Sequence, residues 1–367
     1  MSKPWGIWTA SRKLDEQQLD DLAVGAAILG TGGGGNPYIG KLRVRELLRQ
    51  GKDIEIIPLE ALGDDDLVVS VGGIGAPVVG IEKLERGDEC FQALKAIEQE
   101  TGKTISALIP AEIGGSNSME PLITAAQAGI PVVDGDGMGR AFPEIQMMTF
   151  FIYGHSPQPA AIADEKGNVV VFRKVQDMYW LERFARTIAV DMGAAAGFAN
   201  PPMRGDFIKR YAIPETLTQA TNLGRCVRLA NEENRNPLDA IQTEAGGQLQ
   251  FRGKITDVRR ELKGGFAVGR VKLESLENPN DLAEIDIQNE NLILRCNGTV
   301  TVSVPDLIIV LNVDSGEPIT TEVLRYGMRV AVMAFPCHRL LRTEAALKVV
   351  GPKAFGYADV NYQPLAN

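Results

Sequence analysis

The sequence predicts an α/β unit followed by a β-rich one. The first is an N-terminal αβα layered domain with a mostly parallel sheet, over residues 1–165. The second is a C-terminal β-rich domain with a helical lead-in, a small barrel or sandwich, over residues 166–367. Three observations predict this. Continuous apolar runs alternate with helical patterns up to about residue 150. Short strands with turn signals recur from about residue 248 onward. The chain has 367 residues, 44% hydrophobic and 23% charged, which is material for two ordinary cores.

Asp15–Leu29 carries Leu19, Leu22, Ala23, Ala26, Ala27 and Leu29 at helical spacing. The run GTGGGGNP follows, and Tyr38–Gln50 reads as a second helix stopped by Gly51. The four glycines Gly32, Gly33, Gly34 and Gly35 therefore join helix to helix. A phosphate-cradling fingerprint follows a strand, and the P-loop form ends in Gly-Lys-Ser/Thr; neither holds here. Asp53–Leu59 and Leu67–Pro77 read as strands, and Phe91–Glu100 as a helix. A strand over Ile105–Gly115, a helix over Met119–Ala128 and a strand over Ile130–Gly139 complete the alternation. Three strands thus run into polar, glycine-rich loops: Gly72–Pro77, Ala111–Asn117 and Asp134–Arg140. In open α/β sheets ligands bind beyond the carboxyl ends of strands, so these loops are expected to share a rim. The Gly30–Pro37 loop is expected to close over it.

Beyond residue 160 a hairpin with a Gly167-Asn168 turn is expected. Helices follow over Gln176–Met192, Pro214–Glu233 and Pro237–Ala245. Long strands are then expected around a turn at Lys263–Gly265, with five short ones after them. No flexible linker is visible, so the two units are expected to pack tightly.

The net charge of −9 argues against a nucleic-acid partner and an anionic membrane surface. No apolar run is long enough to span a bilayer, and the start lacks a secretory pattern, so the expected location is cytoplasmic. Cys90, Cys226, Cys296 and Cys337 form no CxxC pair and read as reduced, packed thiols. The only histidines are His155 and His338, so a zinc site of several histidines cannot be built from one chain. The sequence assigns no cofactor and no metal, and leaves a homo-oligomer open.

The acid–base candidates are carboxylates: Glu112, Asp134, Asp136 and Glu144. Two close carboxylates push one pKa up, giving an acid beside a base. Asp134 and Asp136 could instead hold a divalent cation, or be surface aspartates in a tight turn with Arg140 as ion-pair partner. Gly32 to Gly35, Gly73 and Gly75 offer bare backbone for a carbonyl oxygen. Asn36 and Asn117 could read ring amides, Ser116 could cap a helix or bind, and Arg140 could orient a carboxylate. His155, near the domain boundary, could reach the rim. Cys337 and His338 are adjacent on a strand, point to opposite faces, and make no couple.

Taken together, LGTGGGGNP, GGIGAP, PAEIGGSN, PVVDGDGMGRAFPEIQM, RGKITDVRRE, GGFAVGRV and GPKAFGYADVNYQPL resemble the S-methyl-thiohydantoin desulfurase family, which is associated with hydantoinase/oxoprolinase proteins. The resemblance covers nearly the whole chain. It implies an αβα layered domain, a β-barrel-like domain, a small-molecule substrate, and hydrolytic removal of a thiomethyl group from a five-membered ring. It also leaves open a non-catalytic partner of a hydantoinase/oxoprolinase-type enzyme, or a small-molecule or metal binding module.

Overall fold

The computed structural model describes residues 10–75, 83, 85–263 and 266–366. The ends of two sequence expectations, Ala76–Pro77 and Gly264–Gly265, lie outside these.

Helix α1 (Glu16–Leu29) starts in a capping box. The Asp15 side chain accepts the Gln18 N–H, and the Gln18 side chain accepts the Asp15 N–H. Its apolar face is fully buried at Leu19, Leu22 and Ile28. Helix α2 (Tyr38–Arg49) follows the glycine loop, as expected. Helices α3 (Glu89–Thr101), α4 (Glu120–Ala128), α5 (Thr149–Ile152) and α6 (Met178–Asp191) come next. After them run α7 (Gly205–Tyr211), α8 (Thr216–Glu232), α9 (Pro237–Ala245) and α10 (Glu344–Val350). Helices α1 and α8 touch at backbone distance. A Cβ on Gly25 would sit 1.8 Å from the Ala220 carbonyl oxygen, and one on Gly224 would sit 1.8 Å from that of Asp21. Only glycine fits at either crossing point.

The strands of the first half are β1 (Arg12–Lys13), β2 (Glu55–Ile57), β3 (Leu67–Gly75), β4 (Ala107–Pro110) and β5 (Val132–Val133). They continue with β6 (Gly135–Asp136), β7 (Ala160–Ala163), β8 (Val169–Phe172), β9 (Ala195–Ala199), β10 (Met203–Arg204) and β11 (Ile213–Pro214). The main sheet has the order β1-β2-β5-β4-β3-β9-β7-β8, with β10 also on β3. It is mixed rather than mostly parallel. Only β2–β5, β5–β4 and β4–β3 run parallel. The hairpin β7–β8 can pair only antiparallel across its tight turn, and β9 enters antiparallel beside β3. The sheet therefore takes strands from both sides of residue 165.

The second sheet is wholly antiparallel. Its strands are β12 (Gln248–Lys263), β13 (Phe266–Ser275), β14 (Leu282–Gln288), β15 (Glu290–Cys296), β16 (Thr299–Ser303), β17 (Leu307–Asn312) and β18 (Arg329–Phe335), in the order β16-β15-β14-β13-β12-β18-β17. It curls into a half-barrel whose end strand β17 returns near β15, bent by register shifts in β12 at Ile255/Asp257 and Leu249/Phe251. Its concave core holds Ile255, Val271, Ile285, Leu294 and Val310. Strand β17 is apolar on both faces. Ile308 and Val310 fill the half-barrel, while Leu307, Ile309 and Leu311 join the core of the first half. The continuous run LIIVL has that cause, and the halves pack tightly through it.

Candidate functional site

Strand β4 stops pairing with β3 at Val71–Pro110, yet β3 runs on to Gly75. Beyond that point β3 has an open edge, and the Asn117 side chain takes it. The Gly73 N–H donates to Asn117 Oδ1 at 2.7 Å, and Asn117 Nδ2 lies 3.4 Å from the Gly73 carbonyl. Asn117 Nδ2 also donates to Glu112 Oε1 at 2.7 Å, and the Phe142 N–H donates to Glu112 Oε2 at 3.0 Å. Glu112 is 5% exposed, and burial pushes its carboxyl up to about 7 against those donors.

This edge forms one wall of a cavity of about 430 Å³. The other walls are Gly34–Asn36 with the start of α2, the Phe142–Ile145 segment, β9, and Asn289, Glu290 and Glu322 from the second half. Glu290 is the group that sequence reasoning missed. It opens β15 and is 2% exposed. Its carboxylate accepts the Gly34 N–H, while Oε2 has no partner among the described residues. Burial, then the nearby Glu112 carboxylate, push it up to about 8. Two buried carboxyls, one from each half, thus meet at the cavity. A polar residue heading the apolar strand ENLIL is a visible oddity. Nothing in its spacing says that it faces a loop far upstream.

The glycine run makes that meeting sterically possible. A Cβ on Gly33 would lie 2.1 Å from Glu290 Oε1. Gly34 has φ +73° and accepts the Ser116 N–H and hydroxyl, both at 2.9 Å. The loop is also sewn to the second half: the Asn291 N–H donates to the Thr31 carbonyl, and the Thr321 N–H to that of Gly32, both at 2.8 Å.

Of the sequence-predicted residues, Gly34, Gly35, Asn36, Gly73, Gly75, Glu112, Ser116, Asn117 and Glu144 line the cavity. Gly32 and Gly33 lie behind it, as the contacts above require. Asp134, Asp136 and Arg140 are outside the wall, and neither aspartate is a surface group. Asp134 accepts from Arg12 at 3.2 Å and from the Thr218 N–H and hydroxyl. Asp136 folds back over its own turn and accepts N–H bonds from Ile113, Met138 and Gly139. Arg140 pairs with neither. It is fully buried and donates to the carbonyls of Ala141, Asn291, Pro305 and Asp306 and to Thr31 Oγ1. These three polar groups hold the site together instead of lining it. Among the described residues no three His, Cys, Asp or Glu side chains gather as metal ligands.

His155 does not reach the rim. It sits at the opposite end of β3, beside Leu67 and Phe207. Cys337 is buried against Tyr362, and its thiol is pushed up to about 11. Sequence reasoning also missed Arg43, paired with Glu85 and Glu120, and Arg186, paired with Glu182. All five line the cavity.

The comparisons agree with this two-part construction. The profile of the S-Me-THD-like N-terminal domain matches residues 17–174, and that of the S-Me-THD-like C-terminal domain matches residues 176–365. The chain belongs to the S-Me-THD-like family. A protein from Chromobacterium violaceum, known from an X-ray crystal structure, has the same fold, with a TM-score of 0.80 at 22% identity; the match covers 97% of this chain and all of that one. A search of curated proteins returns no match. Among the described residues no helix is long and apolar enough to cross a membrane.

Proposed function

We propose that this S-Me-THD-like protein is a hydrolase of a small cyclic amide or imidate, the ring itself uncharged, with S-methyl-thiohydantoins as the substrate class. The observation that carries this reading is the pair Glu112 and Glu290, buried in one cavity and held near neutrality. A base and an acid poised near the working pH are what addition of water to a C=N carbon requires. Glu112 ionises more readily, held by Asn117 and the Phe142 N–H, so it takes the proton from the attacking water. Glu290 keeps its proton longer and gives it up as the ring nitrogen gains charge. The water oxygen bonds to the ring carbon, the C–S bond breaks, and methanethiol leaves with the proton that Glu112 took, while the new hydroxyl returns its proton to Glu290. The hydantoin carbonyl remains, and the carboxyls return to their starting states.

The test follows methanethiol release from an S-methyl-thiohydantoin with a thiol reagent. Glu112→Gln and Glu290→Gln are each expected to cut kcat at least about a hundredfold. Full activity in both would reject the assignment.

A further inference from the structure

The cavity wall contains two cations among the described residues, Arg43 and Arg186. Both are engaged. Arg43 Nη1 lies 2.6 Å from Glu85 and 3.2 Å from Glu120. Arg186 pairs with Glu182 and donates to the Pro143 carbonyl at 2.9 Å, with Glu144 close by on the same side. Each arginine therefore faces two carboxyls, which offset its charge. Elsewhere in the wall, Glu112, Glu290 and Glu322 add acidic groups. Glu290, 2% exposed, lines this space, and its Oε2 is buried with no hydrogen-bond partner among the described residues. A ligand carboxylate would meet more acidic groups than the two arginines offset. A ligand cation would be stabilised by the same groups, in surroundings drier than bulk water.

We propose that the cavity selects its ligand by charge: it favours a neutral five-membered ring bearing a primary-ammonium or guanidinium substituent over one bearing an alkyl chain, and rejects one bearing a carboxylate. This rests on reading the cavity as a cyclic-amide site. It deepens that reading by naming the side chain the ring carries.

The experiment compares three S-methyl-thiohydantoins substituted at the 5 position with 4-aminobutyl, butyl or 2-carboxyethyl. Dissociation constants come from calorimetry with the full chain, and methanethiol release is followed in parallel. The aminobutyl compound is expected to bind on the order of tenfold tighter than the butyl one, and the carboxyethyl compound on the order of tenfold weaker. Glu85→Gln and Glu144→Gln probe the two ends, and at least one should reduce the aminobutyl-to-butyl ratio to about threefold or less. Equal affinities, or tightest binding of the carboxyethyl compound, would overturn charge selection while leaving hydrolysis standing. Charge-ordered binding without methanethiol release would uphold selection and overturn hydrolysis. A ratio unchanged in both variants would overturn the assignment to these wall carboxyls, and failure of all three compounds to bind would overturn both readings.

Discussion

Gly33 has no room for a side chain because the Glu290 carboxylate lies where its Cβ would be. Gly33→Ala is therefore expected to displace Glu290 and lower kcat more than it lowers stability, checked by kinetics beside a thermal melt. Arg140 is a separate case. Its guanidinium is buried and donates to four carbonyls and the Thr31 hydroxyl, spanning both halves. Arg140→Met would leave those acceptors unpaired in the interior, at a cost of about 3–5 kcal/mol in urea unfolding. At this scale the sequence was half legible. Glu112, Asn117 and the Gly34–Asn36 stretch could be picked out, because glycine and amide residues after a buried strand signal a loop built for contact. Asp134 and Asp136 looked catalytic, and Arg140 looked like a group that orients a ligand, for the same reason. The structure places all three outside the cavity wall, each engaged with buried partners.

The α1–α8 crossing depends on two glycines, each against the other helix's backbone. Gly224→Ala is expected to force the helices apart and lower stability by about 1–3 kcal/mol, as overpacking does, read from the thermal midpoint. The element pattern up to residue 150 was legible because apolar periodicity is local. The mixed sheet was not. Whether β9 joins β3 or the second sheet depends on which edge is open, and Ala195–Ala199 is too short and too plain to say. The two-faced burial of β17 was likewise hidden, since a continuous apolar run looks the same in a central parallel strand.

At the scale of the whole molecule, the site exists only where the two halves meet, with Glu112 from one and Glu290 from the other. Both carboxyls, and Asp136 at about 7, are harder to ionise folded than unfolded. Their folded pKa values lie above the ordinary carboxylate range near 4. Their contribution to stability is thus fully present below about pH 4 and lost as pH rises through about 7 to 8. Between pH 6 and 9 the thermal midpoint is expected to fall, and less steeply in Glu290→Gln. Surface groups add their own slope, so the difference between wild type and variant is the informative quantity. The most direct test of the shared carboxyl pair is a carbon-13 NMR titration of the glutamate carboxyls, with Glu112 and Glu290 assigned through their Gln variants. The two should titrate in coupled steps between about pH 6 and 9, and Glu290→Gln should leave Glu112 with one step at the lower end. Titration of both near pH 4 to 5, unaffected by each other's removal, would contradict the account.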